Sequence, residues 1–279
     1  MSARTPLATP LSIAADFDAH HAARQPLPLL RLVAAYAAET RMEIRAALRS
    51  PGFAIPFIVV PLAVYLMFGV VMAGPALAES KFGPALADYL FCGFSVLAVS
   101  MPGIFTSALL AAEREGRVLQ LKRALPAPPG AVIVAKLLMS MFISGLALAL
   151  VLIAALLFGK LTASATQLII ICVTLLIGSL PFTAIGLLLG SWCSASAAPA
   201  WGNLLFLPMM WLSGLFIPLP AALEPWVVIW PTFHLNQLAL GLAGIEPFSF
   251  IDPAIAGAVL LALGVLCGGL AVRRLARVG

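Results

Sequence analysis

Long apolar runs separated by short polar segments dominate residues 51–279. Each run is long enough to supply the roughly 20 residues that an α-helix needs to cross the hydrocarbon core of a bilayer. Backbone N–H and C=O groups find no water there, so each run is predicted to be helical. The six runs are Phe53–Ala73, Tyr89–Leu110, Val132–Phe158, Leu168–Gly190, Trp201–Leu219 and Ile251–Val272. The pattern predicts an all-α membrane protein whose residues 51–279 form a domain of six transmembrane helices.

A different periodicity predicts an amphipathic helix over residues 28–50. At about 100° per residue, apolar and small side chains fall in one narrow sector and arginines fall on the opposite side. The sector contains Leu29, Val33, Tyr36, Thr40, Ile44 and Ala47, and the opposite side contains Arg31, Arg41, Arg45 and Arg49. This arrangement is typical of an interfacial helix, with its apolar face toward lipid and its arginines toward headgroups or water.

Residues 1–27 differ from the rest of the chain and are predicted to be a flexible cytosolic tail. They contain three prolines, two acidic residues and the pair His20-His21. They lack the continuous apolar core of a secretory signal. Neither this histidine pair nor the four scattered cysteines show the spacing of a metal site or of a disulfide framework. The sequence therefore predicts no bound metal.

The composition excludes most soluble classes of protein. Hydrophobic residues make up 62% of the chain and charged residues only 10%, against roughly 25% charged residues in an ordinary soluble domain. A soluble enzyme, a disordered regulator and a disulfide-rich secreted module are all incompatible with this balance.

The distribution of lysine and arginine predicts the orientation. With the N-terminus in the cytosol, fourteen of the sixteen basic residues fall on one side of the membrane, and only Lys81 and Lys160 fall on the other. Basic residues are enriched in cytosolic loops, so the side with fourteen is predicted to be cytosolic. Both termini are then expected in the cytosol, as an even number of spans requires.

Two kinds of chemistry are missing from residues 1–279. No apolar run carries a charge near its centre, which disfavours a proton relay or an ion-coupled carrier. The sequence also lacks a phosphate-binding P-loop, because Lys160 is the only lysine that follows a glycine and it is followed by Leu161. We therefore expect neither a catalytic site nor a cofactor in this chain.

The segment between the second and third runs, residues 113–130, is the most informative cytosolic stretch. It begins with a charged helical turn, continues with apolar positions at Val118, Leu119, Leu121 and Leu125, and ends in prolines. From the residues alone, a short helix that docks on a partner and a plain solvated loop are equal alternatives.

This segment resembles the permease subunits of ABC-2 type transporters. The resemblance is carried by Glu113-Arg114-Glu115, by Arg123-Ala124-Leu125-Pro126 and by Pro128-Pro129. A second block agrees in the same order: Ser213-Gly214 with Pro218, Pro225-Trp226, and Pro231-Thr232-Phe233-His234. Residues 221–245 are too apolar for a free loop and too rich in proline for a span. They are therefore predicted to form short re-entrant or interfacial helices between spans 5 and 6.

The resemblance implies the membrane-spanning subunit of an ATP-driven exporter in the bacterial inner membrane. Such a subunit would pair with a second permease copy, identical or related, and rest on two copies of an ABC nucleotide-binding subunit that holds ATP and Mg. It implies coupling to that partner through Glu113, Arg114, Glu115, Arg117, Arg45 and Arg49. It implies a substrate path lined by Ser100, Thr106, Asn203, Met209 and Met210, for which interhelical packing is the alternative role.

The expected substrate is amphipathic: a drug-like molecule, as in multidrug export, a lipid or a lipid-linked glycan. An integral membrane enzyme that modifies lipids and a stand-alone carrier or channel are the alternative functions. The enzyme would need carboxylates or histidines converging at the end of a span, and the sequence shows no such group.

Overall fold

The structure is a computed structural model that describes residues 29–73, 85–124, 128, 130–159, 161–216, 224–245 and 248–278. The expected tail over residues 1–27, the prolines at 126 and 129, and residues 217–223 lie outside this described part.

The described residues are almost entirely helical. The α-helices in chain order are α1 (Leu29–Leu48), α2 (Pro51–Val64), α3 (Ala85–Glu115), α4 (Val118–Ala124), α5 (Ala131–Phe158), α6 (Ala165–Ile177), α7 (Ser179–Trp192), α8 (Ala198–Trp211), α9 (Glu224–Val227), α10 (Pro231–Ala243) and α11 (Pro253–Val278). Helix α2 continues directly into a π-helical segment, Tyr65–Met72.

Five helical stretches are long and apolar enough to cross a membrane. They are Pro51–Met72, Ala85–Glu115, Ala131–Phe158, Ala165–Trp192 and Pro253–Arg277. The helix predicted over Trp201–Leu219 is shorter than expected, because α8 ends at Trp211. Gly214 then adopts a φ of +67°, a conformation that favours glycine and does not continue an α-helix. The 14 residues of α8 span only about 21 Å, so the sixth span remains a prediction.

Helix α3 lies at the centre of the bundle and crosses α7 at very short range. A Cβ added at Gly186 would lie 2.2 Å from the carbonyl oxygen of Gly103, and one added at Gly190 would lie 2.6 Å from that of Ser107. Small residues at a crossing let two helix backbones approach each other in a membrane. The glycines are therefore required for this packing.

The fourth span is divided into two helices at Gly178. Proline at position 181 has no N–H to donate to the preceding turn, so the regular hydrogen-bond ladder cannot run through this point. Accordingly α6 ends at Ile177 and α7 begins at Ser179.

Helix α1 is present as predicted, but the protein covers part of its expected lipid face. It packs on α5, and Tyr36, Thr40 and Ile44 are half-buried there, while Leu29 and Val33 are 78% and 64% exposed. The prediction that this whole sector faces lipid was wrong. Part of the sector packs on α5, and two glutamates lie on that same face of the helix. The arginines lie on the exposed side, as expected, and the position of α1 relative to a bilayer remains a prediction.

Two short helices, α9 and α10, follow α8 where short helices were predicted. Helix α10 packs on α6 and α11. Gln237 fixes the chain that follows it, because its Nε2 donates to the Phe248 carbonyl at 3.0 Å and its Oε1 accepts from the Phe250 N–H at 2.7 Å. Whether these helices re-enter the membrane remains a prediction.

Candidate functional site

Five charged side chains from four helices meet at one end of the bundle. This charge cluster consists of Glu39 and Glu43 from α1, Glu113 from α3, Lys122 from α4 and Lys136 from α5. Lys122 Nζ lies 2.8 Å from Glu39 Oε1 and 2.5 Å from Glu43 Oε1. Lys136 Nζ lies 3.1 Å from Glu43 Oε2 and 2.8 Å from Glu113 Oε1. The cluster therefore connects all four helices at the end that we call the basic end.

The centre of the charge cluster is closed to solvent. The Lys136 side chain is 0% exposed and that of Glu43 is 5% exposed, whereas Glu113 and Lys122 reach the surface at 22% and 20%. A buried ammonium group is tolerated only when carboxylates compensate its charge. Lys136 has two such partners, and Glu43 is the carboxylate that both lysines share.

The titration of Glu43 and Lys122 reflects these contacts. Burial alone would raise the pKa of Glu43, but the charges of Lys136 and Lys122, with hydrogen bonds from both, hold that pKa below its ordinary value. Burial alone would lower the pKa of Lys122, but hydrogen bonds to Glu39 and Glu43 raise it above its ordinary value. Both groups are therefore charged at neutral pH.

The next two residues of α3 hold the segment between α7 and α8. The Arg114 guanidinium donates to the carbonyl oxygens of Ser191 and Cys193, the latter at 2.6 Å. The carboxylate of Glu115 accepts from the Ala195 N–H at 3.0 Å. Residues 191–200 carry no charge of their own, so their backbone groups are paired by the charged end of α3.

Helix α4 is anchored by one leucine and leaves two other apolar residues outside. Leu119 is buried in a small core with Leu110, Leu187 and Leu275, which holds α4 against α3, α7 and α11. Val118 and Leu121 are 38% and 66% exposed. The apolar stripe predicted from the sequence is thus divided: Leu119 serves the fold, Val118 and Leu121 face outward, and Leu125 lies outside the described residues.

Three of the predicted coupling residues are exposed at the basic end and three are engaged within the chain. Arg45, Arg49 and Arg117 are exposed and form no ion pair with any described residue. Arg117 has a φ of +58°, at the turn that separates α3 from α4. The engaged residues are Glu113, Arg114 and Glu115.

The predicted path residues do not converge on one cavity. Ser100 is buried and donates to the Val96 carbonyl at 2.7 Å, and its Oγ lies 3.9 Å from the Met210 sulfur. Thr106 is also buried and donates to the Pro102 carbonyl at 2.9 Å. Met209 is buried, and its carbonyl accepts from Thr232 at 2.9 Å. In this single chain Ser100, Met209 and Met210 join α3, α8 and α10, and Thr106 is bonded within α3.

Asn203 differs from the other predicted path residues because it is exposed. It lies on α8 beside an exposed apolar row of four residues: Trp201, Leu204, Leu207 and Trp211. Among the described residues this face of α8 is largely uncovered, because α8 packs on α3 through its other face.

Sequence reasoning singled out Glu113 but missed the two acidic members of the charge cluster on α1. Lys122 and Lys136 counted only as basic residues that orient the chain, and Glu39 and Glu43 were not singled out. A signal was present, because Glu39 and Glu43 stand three residues after Tyr36 and Thr40 and so share their helix face. Two acids on an otherwise apolar face of a helix indicate basic partners on the surface that it covers.

The described residues bring together no group of three or more His, Cys, Asp or Glu side chains that could hold a metal ion. The four cysteines are free thiols.

Comparison with known families assigns most of the chain. The model of the family described as "ABC-2 type transporter" matches residues 35–246. The match covers most of α1, the charge cluster and the helices through α10, so it includes both blocks on which the resemblance rested. The comparison with curated proteins found no match. With five helices able to span a membrane and this match over most of its length, the chain belongs to the ABC-2 type transporters, as the multi-pass membrane permease component of an ABC transporter.

Proposed function

We propose that this chain is the permease subunit of an ATP-driven exporter that moves an amphipathic substrate out across the bacterial inner membrane. The single observation that carries the proposal is the charge cluster, which joins α1 and α4 to the last turn of α3 and the second turn of α5, two membrane-spanning helices. A permease moved by a separate ATPase needs such a connection between its cytosolic surface and its spans.

The exposed arginines are the proposed contact with the ATPase. Arg45, Arg49 and Arg117 are exposed at the basic end, where they can pair with acidic groups of a partner. A push on α1 or α4 passes through Lys122 and Lys136 to α3 and α5, since both lysines bridge helices. Arg114 and Glu115 pass the same displacement to the chain between α7 and α8.

The substrate path is proposed to lie between two permease copies rather than inside one. The exposed face of α8 combines Asn203 with tryptophan and leucine side chains. Two such faces opposite each other would form an apolar path with a few polar groups, which suits a drug-like molecule, a lipid or a lipid-linked glycan better than an ion. Ser100, Thr106, Met209 and Met210 would support this face from behind.

ATP and Mg are proposed to bind to the partner, in two copies of an ABC nucleotide-binding subunit. The absence of a P-loop from the sequence of this chain supports this division of labour. The positive-inside distribution of lysine and arginine supports a cytosolic position for the surface on which the ATPase would rest.

The test uses the complex of the full chain with its ATPase, reconstituted in lipid vesicles. Arg45→Gln/Arg49→Gln/Arg117→Gln should lower both ATPase co-purification and substrate-stimulated ATP hydrolysis by tenfold or more, because several interface charges are lost together. The matched control is Arg31→Gln, which removes an exposed arginine at the other end of α1 and should leave both unchanged. Wild-type hydrolysis and transport in the triple variant would refute the proposed contact.

The direction of transport is tested separately. Inverted vesicles that contain the complex should accumulate a fluorescent amphipathic substrate when ATP is added outside, since their cytosolic face is turned outward. Accumulation only in right-side-out vesicles that are loaded with ATP would show import and overturn the assignment as an exporter.

A further inference from the structure

A long apolar groove runs along one side of the bundle, away from α8. It has a volume of about 650 Å³ and lies between α5, α6, α7, α10 and α11. Its lining residues on α11 extend from Gly257 to Val272, which corresponds to about 22 Å along the helix axis. One leaflet of hydrocarbon is about 15 Å deep, half of the bilayer core. The groove can therefore hold an extended acyl chain along its whole length.

The groove continues to the basic end. A second cavity of about 430 Å³ lies between α4, α5 and α11, and it shares Ile133 and Val272 with the apolar groove. Lys122 lines this second cavity, but its charge is already compensated by Glu39 and Glu43. Because the two cavities adjoin at these shared residues, we refer to them together as the channel; it is apolar along α11 and has polar groups at the basic end.

Two arginines of α11 stand next to the lining of the second cavity and have no compensating acid among the described residues. Arg273 and Arg277 directly follow Val272 and Ala276, which line that cavity, and each lies about 100° further round the helix, on its outer side. Both are exposed, and neither forms an ion pair with a described residue. Like charges four residues apart on a helix repel each other, so this pair favours an anionic partner. Arg274 points elsewhere, with its guanidinium 4.7 Å above the ring of Trp192.

The glycines of α11 leave the groove open, although packing does not require them. A Cβ at Gly264 would lie 3.5 Å from Pro181, and one at Gly268 would lie 3.8 Å from the Ala184 side chain, which are ordinary van der Waals distances. These glycines contrast with Gly186, where an added Cβ would meet backbone at 2.2 Å. Larger side chains at positions 264 and 268 would be tolerated by the neighbouring helix and would fill the groove.

We propose that this channel is a binding site for one anionic phospholipid of the cytosolic leaflet. One acyl chain occupies the groove beside Gly264, and the phosphate group pairs with Arg273 and Arg277. Basic pockets between transmembrane helices at the cytosolic side are suited to acidic headgroups, and guanidinium groups match phosphate oxygens in geometry. The site is separate from the proposed substrate face on α8 and does not depend on the proposed function.

The test is native mass spectrometry of the full chain in a non-ionic detergent, titrated with dioleoyl phosphatidylglycerol or dioleoyl phosphatidylcholine. The first phosphatidylglycerol should bind about tenfold more tightly than phosphatidylcholine. Arg273→Gln/Arg277→Gln should remove this difference, since each basic residue near an anionic lipid contributes enough for roughly a fivefold change in affinity. The matched control is Arg31→Gln/Arg41→Gln, which removes two exposed arginines from α1 and should leave the difference intact.

Filling the groove tests the acyl-chain half of the proposal. Gly264→Leu should weaken binding of both lipids, whereas Gly269→Leu, at an exposed position with nothing within 4 Å, should not. Gly268→Leu fills the same groove at a second position and so serves as an independent test. Equal affinity for the two lipids in the wild type would overturn the proposal, as would an equal loss in the α1 control. Unchanged lipid binding in Gly264→Leu together with loss of a dimer would assign the groove to a second copy and would also overturn it.

Discussion

Replacing Lys136 by methionine should destabilise the chain more than any other single change in the charge cluster. The wild-type cluster has three carboxylates and two ammonium groups, a net charge of −1. Lys136→Met leaves three carboxylates around one ammonium group, a net charge of −2, with Glu43 still only 5% exposed. Removing one member of a buried ion pair typically costs about 3–5 kcal/mol, and we expect a loss within that range.

Counting charges in the same way predicts that Glu43→Gln loses less stability than Lys136→Met, although Glu43 contacts both lysines. In that variant Lys122 retains Glu39 and Lys136 retains Glu113, so the net charge of the cluster becomes zero. The double variant Lys136→Met/Glu113→Gln restores the net charge of −1 and should recover part of the stability that Lys136→Met loses. Glu115→Gln is the matched control, because it removes an exposed charge from the same end of α3 and keeps an acceptor for the Ala195 N–H.

The assay is reversible unfolding of the full chain in mixed micelles, followed by far-ultraviolet circular dichroism. A loss of about 3–5 kcal/mol corresponds to an unfolding constant that is more than a hundredfold larger. A change of less than about 0.5 kcal/mol in Lys136→Met, the size of an ordinary surface substitution, would refute the reasoning. A Glu43→Gln variant less stable than Lys136→Met would refute the charge arithmetic even if both lose stability.

Three further predictions follow. Gly186→Ala should destabilise the α3–α7 crossing by about 1–3 kcal/mol, because its Cβ would meet backbone at 2.2 Å, whereas Gly269→Ala should be neutral in the same unfolding assay; equal stability of the two variants would contradict the close crossing. Folding lowers the pKa of Glu43 from 4.5. The contribution of Glu43 to the free energy of unfolding is therefore present above pH 4.5 and is lost as pH falls through the lower pKa of the folded state. Amide exchange of α1, corrected for intrinsic rates, should therefore accelerate only below pH 4.5. Acceleration between pH 5 and 7 would contradict this role of Glu43. A reporter fused near Glu224 should be extracellular and one after Arg277 cytosolic, and a cytosolic signal at Glu224 would exclude the six-span topology.

The sequence was sufficient to predict helices wherever hydrophobicity alone decides the structure. The long spans over α3, α5 and α11 and the helix of residues 28–50 follow from run length and periodicity, since a backbone in lipid has few alternatives. Hydropathy does not predict where an apolar helix stops. The end of α8 at Trp211 depends on the turn conformation at Gly214, and the apolar residues around that turn give no polar signal.

The sequence indicated which segment of the chain contributes to the candidate site, but not which side chains contact each other there. The Glu113–Arg117 turn was singled out because it is the most highly charged segment between two spans, and its role in coupling stays a prediction. The pairing of Lys136 with Glu113 and Glu43, and of Lys122 with α1, depends on tertiary packing between residues up to 93 positions apart. No local pattern determines which charges face a partner and which neutralise each other inside the chain.

The glycine crossing of α3 and α7 has a mechanical consequence. Backbones that touch without intervening side chains leave no space for side chains to repack between them, so we expect α3 and α7 to move together. In the most apolar part of α3, 83% of the residues are buried, whereas only 22% are buried in the corresponding parts of Pro51–Met72 and Pro253–Arg277. An alternation between two states would therefore repack these two lightly packed outer spans or the contact between separate copies, while a displacement received by α3 carries α7 with it.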